Sequence, residues 1–187
     1  MFLELILKNR SVRRYNTAAG YPDNFFSKMA EVARLCPSTA NLQRIRILPV
    51  TSSEEKEKVF NSVKFASMLD WNGPAESERP ACYAVLVSEG AIDTNKAIDV
   101  GIIAQSMLLR ASEMGLAGCM FRSFNAESLA SSLGLDGYTP VLVISFGYPA
   151  EKVEIVDARE GSLKYYRNSE DTHCVPKLKS EEFLLKR

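Results

Sequence analysis

Thr94 to Met114 is the stretch that most limits what this chain can become. Its pattern and length predict a helix, and Gly115 stands where such a helix stops. The middle, Val100-Gly101-Ile102-Ile103-Ala104, is apolar on nearly every face. A helix of that kind is buried on all sides, either in a core or against a partner subunit. Gly101 and Ala104 are small enough to admit close helix packing. Ala81 to Ser88 (ACYAVLVS) is a continuous apolar, β-rich run and predicts a buried strand. Val141 to Phe146 (VLVISF) predicts another strand, closed by Gly147-Tyr148-Pro149.

The remaining elements follow from punctuation. Phe2 to Lys8 reads as a short apolar helix leading into a basic run. Gly20-Tyr21-Pro22-Asp23 is a turn, with Asp23 able to cap a second helix. In that helix Phe26, Met29, Ala30 and Ala33 fall at helical spacing, and Pro37 stops it. Ile45 to Val50 reads as a strand that Pro49 assigns to an edge. Ser52 with Glu55 makes a capping box for a helix running to about Val63. Asp70 to Pro74 is punctuation, and the charged stretch to Pro80 reads as an exposed loop. Cys119 to Phe121 reads as a short strand, and Asn125 as the cap of a helix ending at Gly134. Beyond Pro149 lies a polar tail, charge-rich from Glu151 to Arg167. The apolar Phe183-Leu184-Leu185 near its end favours a tail that embraces something over one that frays.

A chain of 187 residues is ordinarily one domain, here 1–187. Its 23 basic and 23 acidic residues cancel. That argues against nucleic-acid or anionic-membrane partners, which need an accumulated positive field. No apolar run approaches the length needed to cross a bilayer, and Glu4 stands where a signal peptide would be basic, so the expected location is cytoplasmic. Cys36, Cys82, Cys119 and Cys174 are scattered, which suits neither a zinc site nor a disulfide framework.

The chemistry-bearing residues fall into three groups. Arg10, Ser11 and Arg13 bring two fixed cations and a hydroxyl within four positions, enough to hold a phosphate dianion through paired hydrogen bonds. Taken alone, they read first as a solvated helix end complementing the macrodipole. The second group is the loop Cys36 to Gln43, rich in short polar side chains, which reads as a ligand-contacting loop or as a turn satisfying its own backbone. The third is the late segment His173-Cys174-Val175-Pro176-Lys177. Its neighbours His173 and Cys174 point to opposite faces of an extended segment, a poor nucleophile–base pair, so His173 reads as structural or cofactor-adjacent. Asp99 and Gln105, polar residues in the long apolar helix, read as satisfying buried groups and stay outside the candidate site.

In order and separation these pieces resemble the FMN-dependent nitroreductases, and the short, single-domain members in particular. Asn9 to Tyr15 is similar to the family's R-R-S-x-R/K-x-F/Y phosphate stretch, and Pro37 to Gln43 to its A-P-S-x-x-N-x-Q-P loop. Asp99-Val100-Gly101 with Gln105, then Gly115-Leu116, resemble its D-x-G-x-x-x-Q helix and following turn. Leu142 to Pro149 resembles the late strand ending in G-Y-P, and the loop from Trp71 to Pro80 and the tail H-x-V-P-K suit the short members.

The resemblance implies an α/β (α+β) fold: a central, mainly antiparallel sheet wrapped by helices. It implies an interlocked homodimer with FMN in a cleft between the chains, and a tail (about 159–187) reaching over the partner. By the same resemblance Arg10, Ser11, Arg13 and Lys177 would hold the FMN phosphate. Pro37, Ser38 and Asn41 would lie along the flavin ring and ribityl chain, with Gln43 near the ribityl hydroxyls. Three departures stand out: Asn9 replaces the first arginine, Cys36 the usual alanine, and Arg44 a frequent proline. The implied activity takes hydride from NADH or NADPH and reduces nitroaromatic, quinone or similar electron-poor small molecules by a ping-pong mechanism. Two alternatives stay open: a flavin store or sensor without turnover, and a branch doing ene reduction or dehalogenation.

Overall fold

The computed structural model describes residues 2–159 and 161–185. Helix α1 covers Phe2–Lys8, α2 Phe25–Leu35, α3 Ser53–Ser62, α4 Thr94–Glu113 and α5 Ala126–Ser132. Strands β1 (Ile45–Val50), β2 (Cys82–Glu89), β3 (Ala117–Phe121) and β4 (Tyr138–Gly147) form one sheet in the order β1-β2-β4-β3, every pairing antiparallel. The central antiparallel sheet wrapped by helices is therefore the architecture found. Pro49 sits on β1, the outer strand, where its missing N–H interrupts no inner ladder.

β2 is continuously apolar because both of its faces are covered. Ala84 and Leu86 join the core beneath α2 and α4, while Tyr83, Val85 and Val87 join the core on the other face with Val59 of α3 and Leu129 of α5. Alternation along the strand thus feeds two cores rather than one core and solvent.

The caps mostly follow expectation. Ser52 accepts from the Glu55 N–H and Asn125 from the Ser128 N–H. The second helix differs: it starts after Asn24 rather than Asp23, and without a side-chain cap. Its first orphan donor is instead met locally, the Phe25 N–H bonding the Pro22 carbonyl at 2.9 Å.

The long helix also departs from the expectation of burial all round. Val100, Ile103, Ala104 and Met107 face the sheet and α2, but Ile98 is 55% exposed and Gly101 has open space where a Cβ would be. Within one chain, α4 buries a single stripe and leaves the other apolar face open.

A second, three-stranded sheet lies in the C-terminal part, with β5 (Val153–Asp157), β6 (Tyr166–Arg167) and β7 (His173–Lys177) in the order β5-β7-β6. β5 and β7 run parallel and β6 runs antiparallel to β7. Among the described residues no helix is long and apolar enough to cross a membrane.

Candidate functional site

The basic run is fastened to the edge of the main sheet. Val12 N–H donates to the Gly118 carbonyl at 3.1 Å, Ser11 bridges Gly118, and Tyr15 bridges Pro149. Tyr15 is fully buried and its hydroxyl contacts the Val12 carbonyl and, at 2.7 Å, Ser145 Oγ. Gly118 is the position where this docking demands glycine, since a Cβ would lie 2.5 Å from the Ser145 carbonyl and 2.6 Å from Leu108.

Glu151 holds the turn from the other side. Its carboxylate accepts from the Arg13 and Arg14 backbone N–H groups and pairs with Arg167 at 2.7 Å. Arg14 pairs with Asp171 and stacks with Arg167 on Trp71 at 5.4 and 5.0 Å. It pins the run to the tail and to the Trp71 loop.

The side chains so placed converge. Arg10, Ser11 and Arg13 line a cavity of about 430 Å³ together with Lys177 from β7. Four donors from two distant segments meet there, as a phosphate requires. The Arg10 Nε is buried without a partner among the described residues, and its guanidinium also donates to the Ile6 carbonyl at 2.6 Å. An orphaned guanidinium N–H beside three other donors is the chemistry of an anion site, so the residues present fit a phosphate. Asn9, which stands where the family has its first arginine, lines the same cavity. Gln105 does so too, on the exposed face of α4 rather than in the core, because only one stripe of that helix is covered. His173 completes the lining. Its proton affinity is held below the ordinary imidazole range by burial first and then by Arg13 and Arg167, against Glu151.

The loop residues form a second, separate cavity of about 280 Å³, with Ser38 and Gln43 in its wall alongside Cys36, Arg44 and Asp99. Pro37 and Asn41 stand outside that wall. The loop is strained: Ala40, Asn41 and Gln43 all have positive φ, at 49°, 55° and 47°. Non-glycine residues in that region store energy and cluster at ligand clamps. Ser38 Oγ accepts from the Gln43 N–H at 3.1 Å, and the Gln43 side chain donates to Asn41 Oδ1 at 3.1 Å, so the turn also satisfies itself. Asp99, fully buried, reaches the loop from α4 and receives two bonds from Thr39. The unusual Arg44 lies 3.9 Å from Asp93, the N-cap of α4, and Cys36 Sγ turns back to the Val32 carbonyl.

Residues 78–148, from before β2 to just beyond β4, match the model of the nitroreductase family. That part of the chain is similar to the family. The matched span contains α4 and the sheet centre, and leaves the basic run and the Lys177 segment outside it. Among nitroreductase relatives, the Bacillus subtilis protein YdgI, named as a candidate NAD(P)H nitroreductase, is 25% identical over 189 residues, 81% of this chain and 90% of that one. The NADPH-flavin oxidoreductase of Vibrio harveyi is 27% identical over 166 residues, 82% of this chain and 68% of that one. In fold, a nitroreductase family protein of Streptococcus pneumoniae superposes with a TM-score of 0.74 at 17% identity, covering 100% of both chains.

Proposed function

We propose that this chain is a nitroreductase-family, FMN-dependent oxidoreductase that draws on NADH or NADPH and reduces electron-poor small molecules such as nitroaromatics or quinones. The observation that carries the reading is the convergence of Arg10, Ser11, Arg13 and Lys177 on one cavity. A flavin whose chain ends in a phosphate is FMN, and riboflavin would bring no anion to those four donors. The names of the Bacillus and Vibrio relatives support the nicotinamide and flavin parts of the reading.

When bound, FMN supplies the redox chemistry, accepting hydride from the nicotinamide and passing two electrons to the acceptor in a second half-reaction. The protein's own residues do the rest. Arg10 and Arg13 neutralise the phosphate, and Ser11 and Lys177 add donors from two sides. The Pro37–Gln43 loop presents backbone and short polar groups to the ring and ribityl chain, held in a strained shape by Asp99. Solvent supplies the proton of the second half-reaction, so no acid–base side chain is assigned.

The two groups of site residues line different cavities within one chain. That supports a homodimer in which one protomer's loop completes the other's phosphate site. The open apolar face of α4 and the exposed Phe183, Leu184 and Leu185 supply surface for such an interface, with the end of the tail lying over the partner. The reading places the enzyme in the cytoplasm.

Anaerobic addition of NADH or NADPH to the purified yellow protein tests it. Bleaching of the visible flavin band followed by recovery on adding a nitroaromatic or quinone is expected. A yellow protein that does not bleach would be a flavin store, and a colourless one that cannot be reconstituted with FMN would overturn the reading. Light scattering should give twice the chain mass, and a monomer that still turns over would refute the shared site.

A further inference from the structure

His173 is the chain's only histidine and is 1% exposed. Its Nε2 lies 3.2 Å from the Arg13 guanidinium, while its Nδ1 is buried with no partner. The imidazole stands 5.2 Å from the Tyr165 ring, and the Arg13 guanidinium lies 5.2 Å over that same ring. A guanidinium has no lone pair to offer, so the Arg13 contact requires Nε2 to accept and the ring to be neutral. The remaining proton then sits on Nδ1, a buried donor that no described residue answers.

The surrounding charges favour an anion. Arg13 and Arg167 disfavour a protonated ring and Glu151 favours it, while Arg10 and Lys177 add two more cations to the cavity His173 lines. Tyr165 contributes a ring face and no charge. Glu151 is already committed to Arg167 and to the Arg13 and Arg14 backbone. Adding a phosphate dianion supplies the compensation that a second positive charge next to Arg13 lacks.

We propose that His173 is a proton-coupled phosphate ligand of this cavity: an arriving phosphate draws Arg13 away from Nε2, and the imidazole takes up one proton and becomes a donor to the bound anion. This rests on the reading of the cavity as the FMN phosphate site. The balance is simple. Protein, FMN dianion and one proton from solvent give the complex, one hydrogen bond from Arg13 to Nε2 being exchanged for an N–H bond at Nε2. No covalent bond to the flavin changes. The consequence is that FMN, but not riboflavin, is held more tightly as pH falls.

Because the histidine is unique, its NMR signals in the tag-free protein report its titration directly. The midpoint should lie below about 6.5 in the free protein and with riboflavin, and rise by about one unit or more with FMN. Between pH 7.0 and 8.5, where the phosphate stays dianionic, FMN affinity should weaken in the wild type by the factor that the two measured midpoints fix through linkage. His173→Gln, whose amide can still accept from Arg13 but cannot titrate, should bind FMN with a flat profile over that range. Equal midpoints with FMN and riboflavin, or a wild-type pH slope retained in the glutamine variant, would overturn the proposal. If that variant fails to fold, the wild-type titration still decides. Equal affinity for FMN and riboflavin would instead defeat the phosphate reading itself, which separates the two failures.

Discussion

Asp99 Oδ1, buried on α4, accepts both the backbone N–H of Thr39 at 2.9 Å and its hydroxyl at 3.1 Å. The longest helix thereby fixes the loop that carries Ser38 and Gln43. The sequence treated Asp99 as a residue satisfying buried groups. It does so, and the groups it satisfies belong to the strained candidate loop.

Replacing Asp99 with alanine removes one acceptor serving two donors, and leaves the Thr39 N–H unpaired. A loss of about 1–3 kcal/mol is expected. Asp99→Asn keeps an acceptor in place and should lose clearly less. Thermal melting gives the stability difference. FMN fluorescence titration should show weaker binding in the alanine variant than in the asparagine one, and equal binding would detach Asp99 from the loop's role.

Gly118, in β3, meets the basic run through Ser11 and Val12 and α4 through Leu108. An alanine Cβ there would sit 2.5 Å from the Ser145 carbonyl, a backbone atom that cannot swing aside. Overpacking of this kind costs about 1–3 kcal/mol. Gly118→Ala should therefore lower the urea midpoint. It should also weaken FMN binding, because Ser11 is bridged to residue 118 itself. Gly101→Ala, with nothing within 4 Å of its Cβ in one chain, should leave monomer folding intact and serves as the control.

Glu151 carries the turn at Arg13 and Arg14. Its side chain is 2% exposed and answers Arg167 and two backbone N–H groups. Removing the carboxylate leaves the Arg13 and Arg14 N–H groups without their acceptor and Arg167 with Asp171 alone among the described carboxylates, at about 1–3 kcal/mol for each buried group left unpaired. Glu151→Ala should thus be among the most damaging single changes in the chain, and its effect on FMN affinity should exceed that of Arg14→Ala. Calorimetric unfolding and an FMN titration read both. A Glu151→Ala protein as stable as wild type would show that the carboxylate is dispensable.

Much of the fold was legible because its signals are local. β2 and β4 announce themselves as apolar runs, and Ser52, Asn125 and Gly115 mark helix ends by side-chain or backbone chemistry within a few residues. The site was legible only through family resemblance, because Arg10 and Lys177 lie far apart in the chain and no periodicity joins them. Three residues escaped for physical reasons. Gln105 looked buried because its helix is apolar on most faces, yet an open face of α4 is invisible until the sheet's position is known. Arg14 and Glu151 act through partners that only the folded tail brings near. The small β5-β7-β6 sheet went unread since β5 and β6 lie within a charge-rich run that carries no alternation.

The free protein should also carry a stability signature from His173. Burial, then Arg13 and Arg167, hold its proton affinity below the ordinary value, so the unfolded chain binds this proton more readily. For a group of that sign, the contribution to stability is complete above the unfolded value of about 6.5 and is lost as pH falls below it towards the folded value. The lowered carboxyls of Asp93 and Asp171 act only at still lower pH, near and below their own range. Between pH 7 and 5.5 the urea unfolding free energy of the cofactor-free protein should therefore fall by up to about 1 kcal/mol more than that of His173→Gln. FMN should shrink the difference by supplying the charge that the protonated ring needs. Parallel profiles for wild type and variant would mean that the buried imidazole titrates no differently folded than unfolded.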